Sequence, residues 1–107
     1  QNLHLAEVLV AVYVDNVRIA WRGRLWCHLV ADSADELHQF AQRLGLRRTW
    51  FQRSASYPHY DVTVELRERA IELGALSGSR RQIITCARGL KEELVSQTAP
   101  EQLLLFS

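Results

Sequence analysis

Six residues of this sequence are candidates for metal binding or acid/base catalysis, three histidines and three aspartates: Asp15, His28, Asp32, His38, His59 and Asp61. Imidazole nitrogens and carboxylate oxygens bind divalent metal ions, and they also act as general acids and bases. We expect four of them to hold a divalent metal ion as cofactor: Asp15, Asp32, His59 and Asp61. The two remaining histidines, His28 and His38, are then the candidates for catalytic acid/base work.

The spacing of these residues supports part of this hypothesis and limits the rest. On a strand, His59 and Asp61 point to the same side, and so do His28 and Asp32. Four residues of strand nevertheless separate His28 from Asp32 by roughly 13 Å, so one ion cannot bind both unless the chain bends.

Five of the six residues also have a purely structural interpretation. Asp32 and Asp61 suit the first turn of a helix, and Asp15 suits a turn. His28 interrupts an apolar strand, where a hydrogen-bonded core histidine is common, and His38 flanks a helical apolar stripe. The sequence lacks GxGxxG, Walker, HExxH and GxSxG motifs, so no motif selects one reaction class.

The element that must position His28 is a buried strand followed directly by a helix. Residues 26–31 are apolar except for His28, which is typical of a strand covered on both faces. Ser33 and Glu36 have capping-box spacing, and Gly45 ends the helix. The apolar stripe of this helix consists of Leu37, Phe40, Ala41 and Leu44.

Two further strands are predicted upstream of this unit. Residues 7–14 are rich in β-branched side chains and end at the turn-forming pair Asp15-Asn16, and residues 17–21 alternate as a half-exposed strand does. A Gly-containing turn at residues 22–24 follows. If both turns reverse the chain, the first and third strands run in the same direction. Asp15 and Asp32 would then leave the sheet at the same edge, where open α/β sheets bind ligands.

Downstream, residues 49–52 are predicted to form a short strand and residues 53–58 a loop. Residues 59–63 then lead into a second helix that ends at Gly74. A third helix starts at the Ser79–Gln82 capping box and is expected to break at residues 96–100. We therefore predict a single α/β domain over residues 1–95, with a three- to five-stranded mixed sheet packed by about three helices. Residues 96–107 are predicted to be a linker and an apolar C-terminal tail.

Arg47, Arg48 and Arg53 surround Trp50 and precede Tyr57. Arginines beside exposed aromatic rings are typical of surfaces that grip single-stranded nucleic acid. The alternative is that Trp50 belongs to the core and the arginines are merely solvated. Weak nucleic-acid binding is therefore a second expectation.

The last residues contain Gln102, Leu103, Leu105 and Phe106, which resemble the Gln-Leu-x-Leu-Phe peptide that binds the bacterial sliding clamp. The resemblance implies that Leu105 and Phe106 fill an apolar pocket on the clamp while Gln102 anchors polar groups. The alternative is that this tail packs back onto its own domain.

Composition narrows the class of protein. A net charge of +1 over 107 residues gives no overall field toward nucleic acid or anionic membranes. No apolar run reaches the roughly 18 residues that a membrane span needs, and the first residues lack the basic region of a signal peptide. The two cysteines form no CxxC pair, so we expect a reduced, cytoplasmic protein without membrane attachment.

Several segments, in order, resemble a family of small bacterial and phage proteins known only as a domain of unknown function: VYVDN, CHLVADSADELH, WFQ, PHYDV and ELGA. The resemblance covers about Val10 to Leu76. It implies a compact α/β domain in a bacterial or phage setting, and it implies no activity.

Two hypotheses follow. The first is an accessory protein of bacterial or phage DNA metabolism that docks on the replication clamp through its tail. The second is a small divalent-metal-dependent phosphodiesterase or nuclease that uses the aspartates and histidines.

Overall fold

The computed structural model describes residues 11–106, with side chains over residues 11–97. The strands are β1 (Val12–Val14), β2 (Ile19–Trp21), β3 (Arg24–Ala31), β4 (Tyr60–Thr63) and β5 (Leu76–Ser77). The α-helices are α1 (Ala34–Arg43), α2 (Val64–Glu72) and α3 (Arg80–Phe106), and a 3-10 turn covers Arg48–Trp50. Within these residues the predicted α/β fold, a mixed sheet with three helices, is confirmed.

The sheet is organised around β3, the longest strand, as the apolar run in the sequence predicts. Strand β4 lies antiparallel along one edge of β3, from Leu29 to Trp26. Along the other edge, β1 pairs with residues 29–31 and β2 with residues 24–26, both antiparallel. Strand β5 adds to the far side of β1 in parallel. Strand β3 is therefore central, and its residues 29–31 are buried on both faces, whereas Arg24 and Leu25 are exposed.

Strands β1 and β2 are two halves of one interrupted strand. Val14 pairs with Leu29 and Ile19 with Trp26, so the four residues 15–18 lie opposite only residues 27–28. Such an insertion is a β-bulge, which kinks the strand and re-aims its side chains. We refer to residues 15–18 as the bulge.

The bulge corrects the predicted topology. The expected reversal at Asp15-Asn16 does not occur, because the Asp15 N–H still bonds to the His28 carbonyl, 3.1 Å away, and continues the ladder. Strands β1 and β3 are therefore antiparallel, not parallel. Asp15 and Asp32 leave the sheet at opposite ends, and the predicted shared edge is wrong.

The two faces of the sheet are covered by different helices. Cys27 and Leu29 of β3 join Leu37 of α1 and Ala70 of α2 in the main core. The opposite face carries Val30, which packs with a smaller cluster, Tyr13, Ile83, Cys86 and Ala87. The N-terminal turns of α3 thus cover only part of this second face.

The helix boundaries follow the predicted start and stop signals. The Ser33 hydroxyl accepts a hydrogen bond from the Glu36 N–H at 3.2 Å, and Gly45 ends the helix with a φ of 83°. At α3, Gln82 N–H donates to Ser79 Oγ at 3.2 Å, and Ser79 N–H donates to Gln82 Oε1 at 2.8 Å. These sequence signals predict the helix ends well because the hydrogen-bonded groups lie within four residues of each other in the chain.

The short strand predicted at residues 49–52 is wrong, since the 3-10 turn leaves Trp50 half exposed and turns Phe51 inward. Residues 60–63 form strand β4, in which Tyr60 and Val62 both reach the core, and they lead into the second helix as predicted. Helix α2 begins after Thr63, whose hydroxyl caps the Leu66 N–H at 3.3 Å.

Helix α3 continues through residues 96–100, where a break was predicted. Proline disfavours a helix interior, but the residues on both sides of it, such as Glu92, Glu101 and Leu103, are good helix formers. Side chains beyond residue 97 lie outside the described part, and so do the predicted contacts of the tail. Within the described residues, no helix is long and apolar enough to cross a membrane.

Candidate metal-binding site

The second face of the sheet brings together four of the six predicted residues. His28 of β3 pairs directly with Asp61 of β4, so both side chains point to the same face. His59 lies two residues before Asp61 and shares its orientation. Asp15 reaches the same place from the bulge. The antiparallel register of β3 and β4 therefore collects side chains that are far apart in the sequence.

Both carboxylate oxygens of Asp15 form hydrogen bonds with His28. Its Oδ1 accepts the His28 backbone N–H at 2.8 Å, and its Oδ2 lies 2.7 Å from His28 Nδ1. Burial by itself would raise the pKa of the Asp15 carboxyl, but the hydrogen bonds from His28 and Val17 outweigh burial and lower it. The ionised carboxylate can only accept, so His28 Nδ1 carries the hydrogen and Nε2 is directed away from Asp15.

His59 is oriented by the backbone of its own loop. Its Nδ1 lies 2.6 Å from the Tyr57 carbonyl oxygen, which can only accept, so Nδ1 is the donor. Its Nε2 lies 3.2 Å from Asp61 Oδ1. Burial alone would lower the pKa of His59, but the hydrogen bonds to Asp61 and Tyr57 and the nearby carboxylates raise it. A proton or a metal cation between Nε2 and Oδ1 would interact with the lone pairs of both atoms.

His28, His59 and Asp61 form a cluster that can hold a metal ion, which we call the His–Asp cluster. Each can offer one ligand atom such that all three lie within 4.8 Å of one another. In a tetrahedral site, ligands about 2.1 Å from one ion lie about 3.4 Å from one another, so binding would draw the most distant of these atoms together by more than about 1 Å. Two imidazoles, one carboxylate and an open position are a set that catalytic zinc and iron sites use.

The His–Asp cluster opens into a pocket. The cavity, of about 630 Å³, is lined by Asp15, His28 and His59 on the sheet side. Loop residues Ser56 and Tyr57 form another wall, and the N-terminal turn of α3 contributes Arg80. The volume is in the range of small-ligand sites, and a guanidinium together with a helix N-terminus favours an anionic group.

Arg67 is a positioning residue that the sequence analysis missed. It is buried on α2, and its Nε donates to the Asp15 carbonyl oxygen at 2.8 Å. Its other nitrogens reach Ser77 Oγ at 3.2 Å and Glu68 Oε2 at 2.9 Å. Arg67 therefore ties the bulge to α2 and β5. Its spacing of three from Ala70, on the apolar side of the helix, is the signal that predicts burial.

The structure places Asp32 and His38 away from the pocket. Asp32 is exposed at the opposite end of β3, near Cys86. His38 lies on α1, against the other face of the sheet, where its Nδ1 is 2.9 Å from the Tyr60 hydroxyl. Burial, followed by the charges of nearby arginines, lowers the pKa of His38. Neither residue can meet the His–Asp cluster in this fold.

The predicted nucleic-acid residues also lie outside the pocket. The Arg47 guanidinium lies 5.8 Å from the centre of the Trp50 ring, and Trp50 is 50% exposed, so this tryptophan is not core. Arg48 and Arg53 flank His38 on the α1 side of the sheet. The arrangement is an exposed aromatic–arginine group, but it is separate from the His–Asp cluster.

Comparison with known proteins gives one match. The model of a family described as "Protein of unknown function (DUF4031)" matches residues 12–90, well over half of the chain. The family resemblance expected from the sequence motifs is thereby confirmed. No curated protein and no solved structure matches the chain.

Proposed function

The chain belongs to the DUF4031 family, whose description assigns no activity, and we propose that it is a small divalent-metal-dependent phosphodiesterase. The observation that carries this proposal is the His–Asp cluster at the wall of a pocket, with Asp15 fixing the orientation of His28. In this arrangement His28, His59 and Asp61 are the metal ligands. Asp15 acts behind His28, as carboxylates commonly do behind metal-bound imidazoles.

In the proposed reaction a divalent metal ion would supply positive charge, and the protein would hold the phosphodiester in position. A divalent ion at such a site polarises a phosphoryl oxygen and lowers the pKa of a bound water. Arg80 and the N-terminus of α3 stand across the same pocket and would hold the phosphodiester by charge and hydrogen bonds. The loop at residues 55–57 lines the pocket, and Lys91 Nζ of α3 donates to the Ala55 carbonyl oxygen of this loop, 3.4 Å away.

Isothermal titration calorimetry with Zn²⁺, Mn²⁺ and Mg²⁺ tests the site. The expected result is one ion per chain, with binding strongly weakened in His59→Gln and Asp61→Asn. His38→Gln is a matched control, because it removes a hydrogen-bonded histidine outside the pocket. Circular dichroism establishes that each variant is folded. The absence of binding at millimolar metal, or equal binding by His59→Gln, would refute the site.

The reaction class is tested separately with an activated phosphodiester such as bis(p-nitrophenyl) phosphate. We expect turnover by the metal-loaded wild type, and its loss in Asp61→Asn and in the presence of a chelator. Arg80→Gln should raise KM more than it lowers kcat if its role is to hold the phosphate. A metal-loaded protein without turnover would leave metal binding intact and remove the phosphodiesterase assignment.

A second proposal rests on the tail sequence. The clamp-like peptide formed by Gln102, Leu103, Leu105 and Phe106 would dock this protein on a sliding clamp in bacterial or phage DNA metabolism, in the cytoplasm. Support for it comes from the sequence alone. Titration of purified clamp with the full chain and with a chain lacking residues 102–106 tests it. Equal binding by both proteins would eliminate the tail as a docking peptide.

A further inference from the structure

The β2–β3 hairpin presents an exposed aromatic and basic surface beside the pocket. Every residue from 16 to 25 is exposed, and this stretch holds three arginines and no acidic residue. Trp21 and Ile19 keep 56% and 47% of their surface in solvent. Large apolar side chains this exposed on one hairpin are a feature of interaction surfaces.

The sheet register places this surface on the same face as the His–Asp cluster. Trp21 pairs with Arg24 and Ile19 with Trp26, and residues 24, 26 and 28 of β3 point to one side. We call Ile19, Trp21, Arg24 and Trp26 the hairpin platform. It extends from His28 toward the hairpin tip over about 13 Å, four residues of strand.

The backbone is strained at two arginines, one at the end of the bulge and one in the hairpin turn. In the described residues, Arg18 and Arg22 are the non-glycine residues with positive φ, at 54° and 49°. Arg22 and Gly23 form a two-residue hairpin turn in which Asn-Gly is the favoured pair. Strain that persists at an exposed position points to a use for the side chain. The Arg22 guanidinium is indeed held 4.4 Å from the centre of the Trp21 ring.

We propose, on the basis of the phosphodiesterase activity proposed above, that the hairpin platform binds single-stranded nucleic acid and directs its backbone toward the His–Asp cluster. Tryptophan faces stack on bases, and arginines bind phosphates. A duplex hides its base faces, so exposed tryptophans select unpaired strands. Glu65 lines the same depression as Arg18 and Arg24 and offsets only part of their charge. With a net charge of only +1 for the whole chain, the attraction is local to the hairpin.

Fluorescence anisotropy with a labelled oligothymidylate of about 15 nucleotides, within the range of known single-strand sites, tests the platform. The measurement is made with EDTA, so that binding does not depend on the metal. Trp21→Ala should weaken binding at least about fivefold, the low end of a lost stacking contact. The fold should persist, because Trp26 Nε1 donates to the Trp21 backbone carbonyl, which the variant keeps.

Two matched variants sharpen the test. Arg22→Asn restores the favoured turn pair, so it should unfold at an equal or higher temperature, while the salt dependence of binding falls by about 0.7 in slope. Trp50→Ala removes a similarly exposed tryptophan beside an arginine, in the group where the sequence alone predicts nucleic-acid binding, and it should leave binding unchanged if the hairpin platform is the binding site.

The outcomes separate this proposal from the one on which it rests. Oligonucleotide binding in EDTA by a protein that binds no metal would support the platform and refute the metal site. Metal binding without oligonucleotide binding, or equal weakening by Trp50→Ala, would overturn the platform. A dimer in sedimentation that Trp21→Ala dissociates, with no oligonucleotide binding, would also overturn it, because the occupant would be a second copy.

Discussion

Asp15→Asn should keep the His28 side chain in place but change which of its ring nitrogens carries the hydrogen. The asparagine keeps one oxygen, which can still accept the His28 backbone N–H, so the bulge should survive. The amide nitrogen that replaces Oδ2 donates a hydrogen bond. His28 Nδ1 would then have to accept, which moves the ring hydrogen to Nε2 and removes the lone pair that a metal needs.

The size of the effect follows from this contact. The 2.7 Å bond to Oδ2 is charge-assisted and contributes about 1.5–3 kcal/mol, whereas the neutral amide–imidazole bond that replaces it contributes about 0.5–1.5 kcal/mol, so the substitution should cost about 1–1.5 kcal/mol of folding free energy. Replacing the outer partner of a ligating histidine typically weakens metal affinity by about 10–100-fold. Because the pKa of Asp15 is lowered in the folded state, the stabilisation that its carboxylate provides is present above the ordinary aspartate pKa of 3.8 and is lost as pH falls through the folded pKa. Wild type and variant should therefore converge in stability in acid.

The assay combines competitive zinc titration, urea unfolding and nitrogen NMR of the imidazole. We expect the His28 ring to change from the Nδ1–H to the Nε2–H form in metal-free Asp15→Asn. Asp32→Asn is the matched control, since it changes an exposed aspartate at the other end of β3. An unchanged His28 tautomer, or zinc affinity within about threefold of wild type, would refute the reasoning; the orienting effect is expected to be about tenfold or more.

Three further predictions address charge, reactivity and packing. In metal-free protein the pKa of His59 is raised above 6.5, so its pairing with Asp61 stabilises the fold below about pH 6.5, and this is lost as pH rises through the raised pKa. Proton NMR should therefore show the His59 midpoint falling in Asp61→Asn, and an unmoved midpoint would contradict the pairing. Burial, and then the nearby Asp32 carboxylate, raises the pKa of Cys86 to about 12, so this thiol should resist disulfide reagents at mildly alkaline pH until the protein is denatured. Rapid labelling of the native protein would show that it is not buried. Leu90→Ala, at a fully buried position of α3, should cost about 2–5 kcal/mol in urea unfolding, whereas Ile71→Ala, 38% exposed, should cost less than about 1 kcal/mol.

The site shows which parts of function a sequence can predict. All four residues that meet at and beside the His–Asp cluster were among the six candidates, because imidazoles and carboxylates stand out by type. Their grouping was not predictable from spacing. His28 and Asp32 have suitable parity, but Asp32 lies beyond the end of β3, whereas His28 and Asp61, 33 residues apart, are direct partners across two strands.

By itself, the sequence determined the elements whose causes are local. Strand β3, the cap at Ser33 and the end of α1 at Gly45 depend on residues within a few positions of one another. Only the tertiary structure decided the strand directions, because the bulge at residues 15–18 looks like a turn until β3 lies beside it. Strand pairing depends on residues far apart in the sequence, and here it buries residues 29–31 of β3 on both faces. This pairing brings Asp15, His28, His59 and Asp61 together and leaves Asp32 and His38 outside the pocket.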